Sequence, residues 1–597
     1  MRSHSRSTSI DTRLASQSFD TSARRNRPLL EAQTPRSPWQ RSSPRIMGAN
    51  LPGSPRVPKM RNSCTRALLA AICLLIILAL TLRSDRAIDM RAEILRKTGV
   101  HSTSNTPEQK PLDHSTMPPQ SPTMDAGVEP KSDHVMNCDI DMDHLKEVKD
   151  KYHLDDKFQY MKRYVRFTRE EGLERKVMTK LTQNLLPSKF KTVEIGQHYG
   201  RQSCPEPLDF HVPKSGLPST VNGSDFMYGV STTYGRFMDP GTTPINEWIF
   251  WLTDSHGNSN GGKLLLMLLD ASDEELQEVA NLLGDVGIDV DVYHSDSSVE
   301  MAVRYINLVP TLYTHRDAKQ KKWLVTCDDD TFFPSMHGLI EKMNKLDYTR
   351  EMYVGTLSED IGAVERHGSQ AFGGGGVFLS LKMAEKITEL YEKCTSEQKI
   401  LEANSGWGPQ GDILLRKCIY ENTETRLTNF WDLWQLDFFG DPSGFYEWGI
   451  KPLSLHHYRG GGWHTAKPGQ YTKIAHTCGE DCTMLRFQTA DDFVVSGYSV
   501  AHYPQGITWD WAQQEATLHA APEDKGWNLD YTFGPQRPNL HGTGRKIAWE
   551  MQESDVRSDG SVLQTYTRKK DDARWVHADQ SPMSNIDGVI ELIWVPA

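Results

Sequence analysis

The stretch that decides the fold is Trp323-Leu-Val-Thr-Cys-Asp-Asp-Asp-Thr-Phe-Phe333. Its apolar half predicts a buried strand whose C-terminal end carries three adjacent carboxylates, Asp328, Asp329 and Asp330. Adjacent carboxylates repel one another and are costly to desolvate unless a cation lies among them. An oxygen-rich cluster of this kind favours a hard divalent ion, Mn²⁺ or Mg²⁺. A solvated acidic turn also fits the triplet alone, so the surrounding sequence has to decide.

Strands and helices alternate before the triplet. Residues 226–233 predict a first strand that ends in Thr232 and Thr233, and residues 264–269 predict a second that runs into Asp270. A helix, a third strand at residues 288–293 and a second helix follow. This order predicts an α/β fold with a largely parallel sheet and helices on both faces. Ligands bind at the carboxyl ends of the strands in such sheets, where Asp270 and the triplet fall.

A glycine run follows the triplet in Phe372-Gly373-Gly374-Gly375-Gly376, with an apolar segment directly after it. Such a run indicates backbone that approaches a ligand closely, although a flexible hinge is the alternative. The spacing is not that of a dinucleotide fingerprint. Ser380 then predicts the N-cap of a helix.

Two further motifs carry groups suited to chemistry. Asp412 follows Gly411 and opens a helix predicted at residues 413–420, where it could also serve only as a cap. His456 and His457 end a short apolar stretch. Histidine is a common metal ligand, yet a histidine pair is more often a hydrogen-bonded structural feature.

The N-terminal part predicts a membrane anchor. Residues 1–66 contain 13 Lys and Arg against three Asp and Glu, and the uncharged apolar residues 67–82 follow. Sixteen helical residues span roughly 24 Å, which suits a thin bilayer. A cleaved signal peptide is the rival interpretation, but the long basic leader and the absence of a small-residue cleavage site argue against it. The positive-inside rule then predicts a type II anchor with everything after Arg83 in a lumen.

The rest of the chain divides by composition. We expect a disordered basic tail at 1–66, a stem at 83–138, a helical lead-in at 139–224, the α/β domain at 225–480 and a β-rich C-terminal region at 481–597. The formal charge of the whole chain is −11, so the part after the basic tail is acidic. That charge argues against nucleic acid as a partner.

Seven of the nine cysteines follow Arg83, on the side where disulfides persist. Cys478 and Cys482 are close enough for a local loop, and Cys327 in the core strand is expected to be a free buried thiol. An odd number leaves one thiol unpaired or paired between chains, and a homodimer stays an open alternative. Asn222-Gly223-Ser224 is an N-glycosylation sequon.

Taken in order, these motifs resemble the fringe-like branch of glycosyltransferase family 31, which includes the fringe and core 1 galactosyltransferases. The resemblance covers roughly residues 225–460 and rests on the triplet after Trp323, the glycine run, Gly411-Asp412 and Ser454-Leu455-His456. It implies the GT-A nucleotide-sugar fold. It also implies a Golgi membrane protein with a single-pass type II anchor.

The resemblance also implies roles for single residues. Asp328 and Asp330 would bind the metal, Asp330 most closely, with His456, or alternatively His457, as the remaining ligand. Asp412 would be the catalytic carboxylate. The other expected residues lie around the nucleotide and are Thr232, Thr233, Asp270, Asp328, Asp329, Gly374 and Gly375. Cys394 and Cys418 would form a disulfide, whereas Gly411 departs from relatives that carry an acidic residue there.

The implied activity is transfer of a hexose-type sugar from a UDP-sugar to a glycan or glycoprotein hydroxyl, with inversion and a β-1,3 linkage. Mn²⁺, or Mg²⁺, would offset the charge of the leaving nucleotide, and Asp412 would take the proton of the attacking hydroxyl. The alternative is a non-catalytic lumenal protein of the same fold that binds glycans or acts as a chaperone. A metal-dependent phosphatase or nuclease would need further carboxylates and histidines at fitting spacing, which the sequence lacks.

Overall fold

The computed structural model describes residues 135–406, 408–519 and 533–597, and the description below is confined to them. The strands are β1 Lys157–Glu170, β2 Thr179–Lys180, β3 Lys191–Glu194, β4 Leu208–Pro213, β5 Phe226–Thr233, β6 Lys263–Leu269, β7 Asp289–His294, β8 Trp323–Thr326, β9 Tyr353–Gly355, β10 Val377–Ser380, β11 Thr428–Asn429, β12 Phe439–Gly440, β13 Phe487–Gln488, β14 Phe493–Val495, β15 Ser499–His502, β16 Leu518–His519, β17 Ile547–Val556, β18 Val562–Arg568 and β19 Asp587–Pro596.

The α-helices are α1 Met142–Tyr152, α2 Tyr234–Met238, α3 Ile245–Leu252, α4 Asp273–Asp285, α5 Met301–Thr314, α6 Met336–Met343, α7 Ile361–His367, α8 Leu381–Glu389, α9 Tyr391–Cys394, α10 Glu397–Glu402, α11 Gly411–Asn422, α12 Ser443–Tyr446, α13 Pro468–Tyr471 and α14 Ala475–Cys478. Short 3₁₀ turns lie at Pro218–Thr220, Ala318–Gln320, Gly373–Gly375 and Glu480–Cys482.

A seven-stranded sheet in the order β11-β9-β10-β8-β5-β6-β7 contains the strand that leads into the aspartate triplet. β8, β5, β6 and β7 run parallel, while β10 runs antiparallel to both β8 and β9. The predicted parallel sheet is therefore confirmed for the strands before the triplet. Their carboxyl ends lie at one edge, which brings the loops after β5, β6 and β8 to the same side of the sheet.

Helices cover both faces of this sheet because neighbouring residues of each strand point to opposite sides. Met227, Leu265 and Leu324 belong to a core cluster shared with α5, α8 and α11. The alternate residues Tyr228 and Val325 belong to a second cluster with α3, α4 and α6. Both clusters are buried, so the mixed α/β layering predicted from the sequence is confirmed.

The predicted helical lead-in is wrong beyond α1. Residues 157–170 form the long strand β1, which pairs in parallel with β19 on one side. On the other side β1 pairs antiparallel with β3 and in parallel with β4. The apolar spacing Phe158, Met161 and Val165 fits a helix as well as a strand that is buried on both faces. Pairing with residues more than 400 positions away decides for the strand.

A second sheet of ten strands runs in the order β2-β13-β14-β15-β17-β18-β19-β1-β3, with β4 also paired to β1. The strands predicted beyond residue 481 are present, yet they do not form an appendage of their own. They share this sheet with strands from residues 157–213. Its apolar side, including Phe487 and Trp594, belongs to the same core cluster as α3 and α4.

Three disulfides join described cysteines. Cys478–Cys482 and Cys394–Cys418 are bonded, which confirms both expected pairs. Cys138–Cys204, which the sequence analysis did not predict, ties the segment before α1 to the segment before β4. Cys327 is unpaired and buried, as expected, so it is not placed to bond a second chain.

The predicted anchor at residues 67–82, the basic tail and most of the stem lie outside the described residues. Within the described part of the chain, no helix combines the length and the apolar character needed to cross a membrane.

Candidate active site

The aspartate triplet lies in a tight turn directly after β8. The Thr331 hydroxyl lies 3.1 Å from the backbone nitrogen of Asp328, which donates to it, and the same hydroxyl donates to the Gly374 carbonyl at 2.9 Å. The turn is thus fixed to the glycine run that follows it in sequence by more than 40 residues. This cross-link sets the directions in which the three carboxylates project.

Asp328, Asp330 and His456 come together at this turn. Their ligand atoms all lie within 4.8 Å of one another. His456 Nε2 is 3.0 Å from Asp330 Oδ1 and 3.3 Å from Asp328 Oδ2. The imidazole is 3% exposed. Two carboxylates and one imidazole in this arrangement fit a divalent cation such as Mn²⁺.

The electrostatics of the cluster call for a positive charge at its centre. Burial opposes protonation of His456, but the charges of Asp330 and Asp328 outweigh it and raise the pKa of the imidazole well above its usual value. Burial likewise favours the neutral acid at Asp330, yet His456 lowers the pKa of that carboxyl. His456 Nδ1 is buried without a hydrogen-bond partner among the described residues. A bound cation would supply the positive charge that a proton supplies here.

His457 is not part of this cluster. Its ring lies 3.8 Å from the ring of His456 and stacks on Trp463 at 4.3 Å with an interplanar angle of 8°. His457 Nδ1 is 3.0 Å from a carboxylate oxygen of Asp437. Burial and the neighbouring His456 lower the pKa of His457. The geometry thus favours His456 over His457 as the metal ligand, and His457 packs between the His456 ring and Trp463.

Gly374 lies directly against the imidazole of His456. A Cβ at this position would overlap the ring, so only glycine fits. Gly375 packs in the same way on Thr356, where a Cβ would come within 2.6 Å of the Thr356 methyl group. The close approach of backbone that the glycine run predicts is therefore made, in the described residues, to protein side chains that support the cluster.

The middle aspartate has a different environment from its neighbours. Arg236 donates to Asp329 through Nε at 2.6 Å and through Nη2 at 2.9 Å, and the Thr232 hydroxyl also donates to it. Arg236 Nη2 lies 3.7 Å from Asp330 as well. Sequence reasoning missed Arg236; its place three residues after Thr233, at the same sheet edge, was the available signal. Asp329 is thus neutralised by the protein itself.

α11 begins at Gly411, two residues before the predicted helix start, so Asp412 lies in its first turn and the N-cap position belongs to Gln410. Burial, with the negative charges of Asp328 and Asp437, raises the pKa of Asp412 to about 7. The backbone N–H of Ile413 donates to it at 2.8 Å. A carboxyl of this kind can exchange a proton near neutral pH. Asp412 stands apart from the three clustered ligand atoms.

Tyr305 of α5 explains why residue 411 is glycine. A Cβ at Gly411 would overlap the Tyr305 side chain, and a Cβ at Gly373 would come within 2.9 Å of its hydroxyl oxygen. That hydroxyl lies 3.1 Å from Thr326 Oγ1 at the end of β8. An acidic side chain at position 411 has no room here, which gives the departure noted in the sequence a steric cause.

Two expected nucleotide-binding residues are placed less tightly. Thr233 caps α2 by accepting from the Arg236 backbone N–H at 3.1 Å. Asp270 is exposed, has a left-handed backbone with φ of 60°, and makes no hydrogen bond or ion pair with another described residue. Both lie at the carboxyl edge of the sheet, after β5 and β6. Their predicted role stays a prediction.

A second acidic group of similar composition is not a metal site. Asp291, His315 and Asp317 place their side-chain atoms within 4.8 Å of one another. The ammonium group of Lys263 lies 2.9 Å from Asp291 and 4.0 Å from Asp317, and it also pairs with Asp289 at 2.8 Å. The ammonium group of Lys263 therefore already balances these carboxylates.

Comparisons with known proteins address the same region. Residues 267–435 match the family model described as "Fringe-like". This span includes Asp270, the triplet, the glycine run and Asp412, and it ends before His456. No curated protein matches the chain at a significant level.

Solved structures are similar only in part. The glycosyltransferase GlyE of Streptococcus pneumoniae TIGR4 is 14% identical and matches 34% of this chain and 44% of its own, with a TM-score of 0.23. Mouse xyloside xylosyltransferase 1 is 11% identical over 34% of this chain and 84% of its own, also with a TM-score of 0.23. The mannosyltransferase PcManGT from Pyrobaculum calidifontis, solved with GDP-Man and Mn²⁺, is 11% identical over 36% of this chain and 57% of its own, again with a TM-score of 0.23.

TM-scores this low do not establish a shared fold. The chain also spans less than two thirds of the length of the first and third of these proteins. The family match covers the triplet, the glycine run and Asp412 but not His456, and it does not depend on these structures. Residues 267–435 are therefore similar to fringe-like proteins, which confirms the resemblance that the sequence motifs predicted.

Proposed function

We propose that this protein is a metal-dependent inverting glycosyltransferase that moves a hexose-type sugar from a UDP-sugar to a hydroxyl of a glycan or glycoprotein. The observation that carries the proposal is the separation of two kinds of group. Asp328, Asp330 and His456 cluster as cation ligands, while Asp412 keeps a carboxyl with a pKa of about 7 outside that cluster. Transfer with inversion needs both.

The reaction has one displacement. A bound divalent cation would act as a Lewis acid for the diphosphate of the leaving nucleotide. Asp412 accepts the proton of the acceptor hydroxyl while the oxygen of that hydroxyl forms a bond to the anomeric carbon. The bond from that carbon to the phosphate oxygen breaks, and its electron pair leaves with the nucleotide. One displacement converts an α-linked donor into a β-linked product, and we propose a β-1,3 linkage.

The electrostatics of this chain support the role of Asp412. Its pKa lies near the pH at which an enzyme works, where a general base is most effective. Burial and the negative charges of Asp328 and Asp437 each raise the pKa of Asp412 towards that pH. Arg236 holds Asp329, so the middle carboxylate is already occupied and does not compete as the base.

We also propose a place in the cell. Residues 67–82 would anchor the protein as a type II membrane protein, with the described residues in the Golgi lumen. Three disulfides among those residues are in keeping with an oxidising compartment.

Turnover by the full-length protein in detergent tests the role of Asp412. Hydrolysis of a panel of UDP-sugars in Mn²⁺ should be detectable for the wild type and fall roughly 10²–10⁴-fold in Asp412→Asn. Asp273→Asn, the same change in the first turn of α4, should keep wild-type turnover. An Asp412→Asn variant with wild-type turnover removes this residue from the mechanism, and a wild type inactive on every donor favours a glycan-binding protein.

UDP binding tests the metal cluster separately. Asp330→Ala removes one charged ligand and weakens the hold of the cluster on the cation, so Mn²⁺-dependent UDP affinity should be lost. Asp347→Ala, an exposed aspartate outside the cluster, should bind UDP as the wild type does. Calorimetry that finds unchanged UDP affinity in Asp330→Ala reduces the triplet to an acidic turn.

A further inference from the structure

A groove with a volume of about 820 Å³ lies beside the reaction centre and is not used in the proposed chemistry. Three tryptophans line it, Trp431, Trp434 and Trp448. Residues of α6 and the segment Thr356 to Glu359, which follows β9, also line it. We call it the Trp431 groove.

Trp431 is the unusual residue of the groove. Its side chain is 63% exposed, although burial of a tryptophan is favourable. The backbone around it is fixed: the Phe430 N–H donates to the Gly355 carbonyl at 2.8 Å, and the Leu453 N–H donates to the Asp432 carbonyl at 2.8 Å. The backbone that carries the exposed indole is thus fixed, so little backbone ordering is needed when a ligand covers it.

The charges that line the groove are balanced within the protein. Lys342 pairs with Asp432, Lys345 pairs with Glu341 at 2.9 Å, and Lys451 pairs with Asp481. Each of these lysines has an acidic partner, so the lining carries no unpaired positive charge to attract a phosphate or a polyanion. What complements such a lining is a neutral ligand.

The groove also offers hydrogen-bonding groups beside its aromatic surface. The indole N–H of Trp434 is buried and has no hydrogen-bond partner among the described residues. That donor has no surface open to the groove, so the groups that a ligand hydroxyl can reach are the exposed side chains of Glu341 and Lys345. Glu359 accepts from the backbone N–H groups of Gln435 and Leu436 at 3.0 and 2.8 Å, which fixes this side of the wall. Flat apolar faces combined with many hydroxyls are the chemistry of a sugar chain.

Contacts connect the groove wall to the reaction centre. The backbone N–H of Trp434 donates to Ser454 Oγ at 3.2 Å, and the Ser454 hydroxyl donates to the Gly375 carbonyl at 2.8 Å. Gly375 follows Gly374, which supports the imidazole of His456. Two hydrogen bonds through Ser454 thus join the wall of the groove to the glycine backbone that lies against His456.

We propose that the Trp431 groove binds a neutral oligosaccharide, as a part of the acceptor that is remote from the reacting hydroxyl. The acceptor role rests on the proposed function and narrows it to a glycan acceptor. Binding of the sugar chain itself rests only on the groove. Trp431 provides the stacking surface.

The experiment measures binding of linear neutral hexasaccharides of glucose, galactose and mannose to the full-length protein in detergent, by calorimetry and ligand-observed NMR. At least one should bind the wild type, and Trp431→Ala should weaken it at least tenfold, as truncation of an exposed aromatic anchor does. Tyr348→Ala, an exposed aromatic that does not line the groove, is the matched control and should bind normally.

Each other outcome overturns the inference. These outcomes are equal binding by Trp431→Ala, no hexasaccharide bound by the wild type, and tighter binding of a sulfated hexasaccharide. Mn²⁺-dependent UDP affinity, measured on the same samples, separates the two proposals. If the wild type shows no Mn²⁺-dependent UDP binding, the result counts against the proposed glycosyltransferase function. If it binds UDP but no hexasaccharide, the result counts only against the proposed role of the Trp431 groove.

Discussion

Two carboxyl groups near the reaction centre, the buried Glu359 and the half-buried Asp412, have pKa values close to neutral, and their surroundings separate their roles. Burial and then Asp437 raise the pKa of Glu359 to about 8, while two backbone N–H groups hold its oxygens. Asp412 accepts a hydrogen bond from the Ile413 backbone N–H at 2.8 Å. Glu359 is bound into the wall of the protein, whereas Asp412 retains capacity to accept a proton from a substrate.

The pH dependence of turnover follows from Asp412. A general base must be ionised, so activity should rise with pH through the pKa of about 7 and level off above it. Bound Mn²⁺ would offset the charge of Asp328, which is one cause of the raised pKa, and should move the midpoint lower. The measurement is the pH profile of kcat for donor hydrolysis. A profile that is flat between pH 5 and 8 contradicts the role of Asp412 as the base.

The same pKa has a consequence for folding. The folded pKa of Asp412 lies above the usual 3.8, so the folded state binds more protons than the unfolded chain between these values. The stabilising effect of the protonated acid is complete below about pH 4 and is lost as the pH rises through 7. The side chain in Asp412→Asn is neutral at every pH. The free energy of unfolding of the metal-free variant, relative to the metal-free wild type, should therefore increase between about pH 4 and pH 7.

Site residues differ in how far the sequence could predict them. Asp328, Asp330 and His456 come from motifs with recognisable local patterns, and the structure brings them together. Arg236 and Asp437 stand in no such pattern. Arg236 acts through its contacts with Asp329 and Asp330, and Asp437 acts through its contact with His457. These contacts cross the fold, and single-sequence patterns do not show contacts of that range.

Among the helices and strands, those of the seven-stranded sheet were predictable and β1 was not. β5, β6 and β7 are short apolar or alternating runs with turn residues between them, so periodicity identifies them within about a residue. β1 carries Lys and Arg among its apolar residues and begins soon after α1. A local pattern cannot distinguish it from a further helix, because its partner β19 comes at the end of the chain.

The pairing of β1 with β19 yields a prediction for stability. Leu592 of β19 is fully buried in the main core, so Leu592→Ala should lower the free energy of unfolding by about 2–5 kcal/mol. Val556→Ala at the end of β17 is the control, because Val556 is 45% exposed and should change stability by about 0.5 kcal/mol or less. Urea unfolding of both variants gives the comparison. An unchanged midpoint for Leu592→Ala would show that β19 does not contribute to the common core.

In the whole molecule, the ten-stranded sheet joins segments from both sides of the fringe-like region. Strands at residues 157–213 and 487–596 pair with one another, and residues 226–429 form the other sheet between them in sequence. One core cluster includes side chains from both sheets. We therefore expect the fringe-like region to depend on the second sheet for its stability, which is why a division of the chain by composition alone misplaced the C-terminal strands as an appendage.

The membrane topology is the last prediction, and it depends on charge outside the described residues and on a sequon inside them. The basic residues 1–66 should stay in the cytosol, which places the sequon at Asn222 in the lumen. Asn222 is exposed and lies in a loop before β5, so an attached glycan has room. A fluorescent fusion should mark the Golgi, and glycosidase treatment should shift the mass of the wild type but not of Asn222→Gln. Protease added to intact vesicles should remove only the tail, whereas in detergent it should also reach the lumenal part. Digestion of residues 135–597 in intact vesicles, together with an unglycosylated Asn222, would place the catalytic part in the cytosol and overturn the proposed anchor.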